Sequence, residues 1–199
     1  MYVVLLTGGL ASGKDTVSTM LAGLGAMVLD LDSIAKEEQE KPFVLTQLQS
    51  EFGQDIVDES GLLVRKLLAM RAFSNAETAT KLNEICWPPV KEYLRRYLDN
   101  NSEVKGLLIV QVPLLVEAPD FLEFKDEVIA VLADEELRLK RALARGMSTE
   151  DARNRIALQA EDNERIALSD TVFINNSTHE ALREQVIFWH NTRIESGSF

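Results

Sequence analysis

Tyr2-Val3-Val4-Leu5-Leu6 runs without interruption into Thr7-Gly8-Gly9-Leu10-Ala11-Ser12-Gly13-Lys14-Asp15-Thr16, and the reading of this junction decides the fold. The short, unbroken apolar run suits a strand buried on both faces, the environment that a parallel sheet provides. From Lys14 the spacing changes. Val17, Met20, Leu21 and Leu24 fall on one helical face, and Gly25 stands where the helix would end. Between strand and helix, Gly8 and Gly13 bracket the turn and Lys14 follows the second of them. Glycines let successive backbone N–H groups curl around phosphate oxygens, a helix N-terminus adds positive partial charge, and a lysine reaches the transferable phosphates. The junction therefore reads as a phosphate-binding loop for a nucleoside triphosphate.

At the last position of this motif a Ser or Thr hydroxyl normally serves Mg²⁺, whereas here Asp15 stands there, followed by Thr16. A carboxylate ligates magnesium, but it also adds negative charge beside a polyphosphate. Thr16, rotated by about 100° along the helix, need not take over the role. Asp15 and Thr16 are the candidate metal ligands.

Working outward, Met27–Leu31 reads as a second strand, which completes a βαβ opening. Asp30 and Asp32 then sit at its carboxyl end, where open α/β sheets bind ligands, and strand alternation would send both to one side. Asp32 reads equally as a metal or substrate-hydroxyl partner and as the N-cap of a helix beginning at Ser33. The middle of the chain is helical in pattern: Val44, Leu45, Leu48 and Phe52 form one stripe, and Leu63, Leu67, Met70 and Phe73 another, either capping the sheet or forming a side lobe. Pro88-Pro89 should break or kink the helix that leads into Trp87. Leu107–Val112, Val128–Leu132 and Thr171–Ile174 are further strand candidates. Helices are expected over Asp134–Arg145, after a Ser148 cap, and over Glu180–Trp189.

Charge narrows the partners. With 21 Lys+Arg against 32 Asp+Glu, the net charge is -11, which argues against nucleic acid or an anionic membrane as the main partner. Cys86 is the only cysteine, so neither an intrachain disulfide nor a cysteine zinc cluster is available. His179 and His190 read as surface residues of a C-terminal helix, without metal or triad spacing. No apolar run reaches membrane-span length and no secretion signal is visible, so a cytoplasmic location is expected. One segment departs from the acidic background. From Arg138 to Arg155 there are six basic residues against two acidic ones, a local balance of +4, with Arg138, Arg141 and Arg145 on one helical face and Gly146 as a hinge. Arginines above a phosphate suit a phosphoryl-transfer lid.

An ordered set of motifs resembles the dephospho-CoA kinase family over nearly the whole chain. They are Leu6-Thr7-Gly8-Gly9 with Ser12-Gly13-Lys14, Gly25 and Val28 to Ala35, Phe52-Gly53, Gly61 to Arg65, Val112-Pro113-Leu114-Leu115-Val116-Glu117, Leu139-Lys140-Arg141, Arg145, Arg155-Ile156, Gln159, and Ser169 to Asn176. The resemblance implies an α/β P-loop kinase with a central parallel five-stranded sheet flanked by helices. It would form a single domain over 1–199, with an inserted helical substrate lobe at about 33–105 and a lid at about 138–165. The implied reaction moves the γ-phosphate of ATP to the ribose 3′-hydroxyl of dephospho-CoA, with Mg²⁺.

By the same resemblance, Lys14, Asp32 and Arg141 would be catalytic. Gly9, Leu10, Ala11, Ser12, Gly13, Lys14, Asp15, Thr16, Arg141, Arg145 and Asn175 would hold ATP, and Thr7, Asp32, Arg65, Trp87 and Glu117 would lie on the substrate side. Three positions depart from the family pattern: Asp15, Trp87 where a His before Pro is usual, and Gln111 where Asp is frequent. A diverged kinase of another nucleoside-like alcohol, or a weakly catalytic ATP- or CoA-binding protein, are the alternatives these departures keep open.

Overall fold

The computed structural model describes all residues from Met1 to Phe199. In chain order the elements are β1 (Tyr2–Thr7), α1 (Lys14–Gly23), β2 (Met27–Asp30), α2 (Leu31–Gln39), α3 (Pro42–Phe52), α4 (Arg65–Ala72), α5 (Ala76–Asn100), β3 (Leu107–Gln111), β4 (Glu127–Leu132), α6 (Glu135–Ala144), α7 (Thr149–Ala157), α8 (Asp162–Leu168), β5 (Thr171–Ile174) and α9 (His179–Glu195). The chain divides into two compact units, one made of Met1–Asp30 and Asn100–Phe199 and the other of Leu31–Asp99.

The first unit is built on a five-stranded sheet in the order β2-β3-β1-β4-β5, with every pairing parallel. β1 is central, its Val4 opposite Ile109 of β3 on one side and Glu127 of β4 on the other. Alternation sends Val4 and Leu6 into a core with Val17 and Leu21 of α1, Ile129 and Val131 of β4, and Leu182, Val186 and Trp189 of α9. Val3 and Leu5 point to the other face and are also buried, the two-sided burial that makes this strand a continuous apolar run rather than an alternating one. Burying each such side chain contributes roughly 1.5–3 kcal/mol. The turn after β1 thereby rests on the most strongly anchored strand of the sheet.

The second unit is helical. Val44, Leu48 and Phe52 of α3, Leu68 and Ala72 of α4, and Leu82 and Cys86 of α5 close a separate apolar core together with Ile56. Burial holds the Cys86 thiol above its usual range, with a hydrogen bond from Gln39 acting the other way.

Three expectations are corrected. The second strand ends at Asp30 and the helix starts at once with Leu31, so Asp32 lies in the first turn of α2 and is not its N-cap. Because the backbone has already turned helical there, strand alternation no longer relates Asp30 to Asp32. The Pro88-Pro89 pair does not break α5, which runs through both residues. Each interior proline costs about 3 kcal/mol, but Leu82, Cys86, Val90 and Leu94 form a stripe at four-residue spacing that is buried on both sides of the pair, worth several kcal/mol in sum. His190 is buried in α9, with Phe199 5.5 Å away ring to ring, whereas His179 is exposed as expected.

Candidate active site

The turn between β1 and α1 is shaped by backbone conformations that favour glycine. Gly13 has φ 110° and the non-glycine Ala11 has φ 56°. A Cβ on Gly13 would stand 2.2 Å from Asn175 Nδ2, and one on Gly8 2.3 Å from the Val131 carbonyl oxygen, so neither position has room for a side chain. The Ser12 amide closes back on the Gly9 carbonyl at 3.1 Å, and the Val17 amide starts the helix on the Gly13 carbonyl at 3.1 Å. The Lys14 ammonium folds back over the turn, donating to the carbonyls of Gly8 at 2.7 Å and Gly9 at 3.4 Å. A flexible cation in this turn, next to a helix N-terminus, is within reach of a phosphate bound there. Ser12 Oγ is buried without a hydrogen-bond partner.

Residues far along the chain hold this turn from outside. The Leu10 amide donates to Gln159 Oε1 at 2.8 Å. Asn175, just beyond β5, donates from Nδ2 to the Ser12 carbonyl at 2.7 Å, and Arg141 donates to the Asn175 carbonyl at 3.0 Å and to the Ser12 carbonyl at 3.5 Å. Beside the turn opens a cavity of about 360 Å³, lined by Ala11, Gly13 and Thr16, by Arg141, Ala144 and Arg145 of α6, and by Asn175, Ser177, His179 and Leu182. This volume is in the range of small-ligand sites, with two arginines on one wall. The expected residues Ala11, Gly13, Thr16, Arg141, Arg145 and Asn175 are thus brought together. Ser177 and His179 carry no local signal of such a role, because only the closing of the sheet brings them to the turn; Gln159 stands in the ordered motif set, and the structure adds its role as a tether.

A model describing dephospho-CoA kinases matches residues 2–181. The chain belongs to the dephospho-CoA kinase family. The dephospho-CoA kinase of Corynebacterium diphtheriae is 37% identical over 185 residues, covering 92% of both chains, and that of Fusobacterium nucleatum is 38% identical over 187 residues, covering 94% of this chain and 95% of the relative. A protein of known structure from Thermus thermophilus superposes with a TM-score of 0.78 at 28% identity, over 96% of this chain and 97% of its own. The dephospho-CoA kinase from Campylobacter jejuni shares the fold, with a TM-score of 0.71 at 22% identity over 99% and 98%. Membership of the dephospho-CoA kinase family makes this chain an ATP-dependent kinase, a transferase of a group that normally works with a divalent metal.

Against the family's metal requirement, the donors present fit. Asp15 is an exposed carboxylate in the first turn of α1, its Oδ2 3.6 Å from Arg145 Nη1, and Thr16 lines the cavity. No group of three or more His, Cys, Asp or Glu side chains gathers to hold an ion. One carboxylate, completed by water and phosphate oxygens, is the usual provision for Mg²⁺.

The remaining expected residues are placed as follows. Thr7 ends β1, buried, its hydroxyl 3.4 Å from the Pro113 carbonyl. Glu117 is exposed and accepts from the Ala160 amide at 2.9 Å, so it holds the stretch just before α8. Gln111, where the family often has Asp, is buried and donates to Ser18 Oγ at 2.8 Å, tying β3 to α1. In the helical unit, Asp32 is exposed on α2, and Trp87 is half-buried on α5. Arg65 begins α4 and donates to Gln39 Oε1 at 3.1 Å, to the Lys36 carbonyl at 2.9 Å and to Glu40 at 2.5 Å, pinning α4 to the end of α2.

Proposed function

We propose that this protein transfers the γ-phosphate of ATP to the ribose 3′-hydroxyl of dephospho-CoA, giving coenzyme A and ADP, with Mg²⁺ as the metal. The observation that carries the reading is the Lys14 ammonium poised on the Gly8 and Gly9 carbonyls, in a chain that the dephospho-CoA kinase model matches from residue 2 to 181. In the reaction the hydroxyl oxygen bonds to the γ-phosphorus, the bond from that phosphorus to the β,γ-bridging oxygen breaks, and the electron pair leaves with ADP.

The turn from Gly9 to Gly13 offers backbone amides to phosphate oxygens, those of Leu10 and Ser12 being engaged on Gln159 and Gly9. Lys14 stabilises charge on the terminal oxygens, and Arg141 adds positive charge from α6. Arg145 and Asn175 line the nucleotide cavity. Asp15, with Thr16, would hold Mg²⁺, which when bound neutralises polyphosphate charge. Asp32 orients the acceptor hydroxyl and takes its proton, a contribution kept modest by a largely dissociative transition state. Thr7, Arg65, Trp87 and Glu117 serve the dephospho-CoA side, Arg65 and Glu117 through the contacts that fix their own segments. The acidic balance argues against nucleic acid or a membrane surface as the main partner, and the small anionic ligands meet the local basic exception from Arg138 to Arg155; the proposed place of work is the cytoplasm.

The test is mass-spectrometric detection of the 3′-phosphorylated product from ATP, Mg²⁺ and dephospho-CoA, with Lys14→Ala as control. Product from the native chain and none above background from the variant is the expected result. Tight ATP binding with no transfer, or equal transfer to a panel of nucleosides, overturns the reading.

A further inference from the structure

Arg138 is the fourth residue of α6, one turn before Arg141, and it is 7% exposed. Its Nε and Nη1 atoms are buried without a hydrogen-bond acceptor. The guanidinium lies directly against the phosphate-binding turn: a Cβ on Gly9 would stand 1.9 Å from Arg138 Nη1 and 3.1 Å from its Cζ. The Lys14 ammonium reaches the same residue, 3.4 Å from the Gly9 carbonyl. Two cations therefore converge on the Gly9 end of the turn, whereas Arg141 addresses the Ser12 and Asn175 end.

The local charge is not balanced. Arg165, 1% exposed, donates from Nη1 to Asp162 Oδ1 at 3.0 Å and to the Ala160 carbonyl at 2.6 Å, while its Nη2 has no partner. Arg138 approaches the same Asp162 oxygen only to 3.7 Å, an ion pair too long for a hydrogen bond. Two buried guanidiniums share one carboxylate, and their unpartnered nitrogens face no water. Burying a cation with donors unmade is strongly unfavourable, so a protein retains such an arrangement where an anion completes it.

We propose that Arg138 binds the transferring phosphoryl group of the nucleotide at the Gly9 end of the turn, as a catalytic residue distinct from Arg141 and Arg145. This rests on the kinase reading above and assigns the site one further contact. The planar fork of arginine suits two oxygens of a phosphoryl group, whose equatorial charge is what the transition state spreads. Gly9 is then required to be glycine because a methyl group would take the place of the Arg138 guanidinium.

The experiment compares the native chain with Arg138→Gln and Arg138→Lys in three measurements: turnover, calorimetric affinity for ADP against ADP with aluminium fluoride, and thermal unfolding without ligand. For Arg138→Gln the expected result is a fall in kcat of about a hundredfold or more, with a matching loss of affinity for the fluoride complex. Affinity for ADP alone should stay within about threefold, since β-phosphate contacts are uniform binding and Arg138 acts only at the terminal group. The unfolding temperature should hold or rise, because two unmade hydrogen bonds are relieved. Arg138→Lys keeps the charge but not the fork and should lie between. Unchanged turnover in Arg138→Gln, or parallel loss of ADP affinity and of folding stability in both variants, overturns the proposal while the native chain's own product formation leaves the kinase reading intact. Absence of product from the native chain overturns both.

Discussion

Glu127, at the amino end of β4, is 2% exposed and accepts five hydrogen bonds: from Tyr2 at 3.1 Å, Thr171 at 2.7 Å, Trp189 at 2.8 Å, and two from Arg193 at 2.7 and 2.8 Å. At the opposite end of the same sheet Arg138 is comparably buried and leaves Nε and Nη1 without an acceptor. Around Glu127 the neighbouring carboxylates also cap strand amides, Asp126 taking the Val3 N–H at 2.7 Å and Asp170 the Val128 N–H at 2.8 Å. Burial alone would raise the Glu127 carboxyl, but the bonds from Arg193, Trp189 and Thr171 together outweigh it and hold the group below its usual range. Both ends bury charge. One end satisfies it within the protein and so contributes to stability, and the other leaves donors open and so awaits a ligand. The contrast separates residues that fold the chain from residues that act, although burial and charge look alike in the two places.

Substitutions at the two ends should therefore break different properties. Lys14→Ala is expected to lower phosphoryl transfer by about a thousandfold or more with an unfolding temperature close to that of the native chain, measured by turnover and by thermal scanning side by side. Glu127→Ala should do the reverse, destabilising by about 3–5 kcal/mol in urea because it strands Arg193 and the Trp189 indole, with kcat of the remaining folded fraction nearly unchanged. Smaller, and specific to the amino end, is a pH effect. Burial opposes ionisation of Asp170, yet the Val128 amide and Lys125 lower its pKa overall, as the donors around Glu127 do there. Groups depressed in the folded state stabilise it above their unfolded pKa and lose that contribution as pH falls through the folded value. The urea midpoint should thus decline from about pH 5 downward, and less steeply in Glu127→Gln. The mildest is Trp189→Phe, which keeps the ring in the core but deletes one donor to Glu127, for about 1 kcal/mol.

Local pattern carried most of the strand framework into view. Tyr2–Thr7, Leu107–Gln111 and Glu127–Leu132 are short runs dominated by apolar residues because these strands are covered on both faces, whereas Thr171–Ile174, at the sheet edge, buries only Phe173. The phosphate-binding turn was legible for a similar reason: its glycines and lysine are contiguous, and Ser148 capping α7 through the Asp151 amide is an equally local event. What stayed hidden depends on distant partners. Gln159 and Arg165 gain their positions from closure of the unit and not from their neighbours in sequence, and although Arg138 shares the basic helical face with Arg141 and Arg145, its burial and its unpartnered nitrogens show only in the folded unit. Pro88-Pro89 misled because propensity is local while the stripe that keeps α5 together is tertiary. His190 misled likewise, since its contact with Phe199 comes from the chain folding back on itself.

The bond between the Leu10 amide and Gln159 joins groups 149 positions apart by a single side-chain contact. Such a tether has a net worth of about 1 kcal/mol, an equilibrium factor of about five, so ordinary thermal motion opens and remakes it many times without loosening β1 or α1 on either side. The neighbouring Ala160 is held separately, by Glu117 at 2.9 Å and Arg165 at 2.6 Å, so opening this one bond would release the Leu10 amide while the stretch around Gln159 stays in place. Fastening and shape are thus assigned to different bonds: the curvature of the turn is imposed by Gly8 and Gly13, whatever the state of the tether.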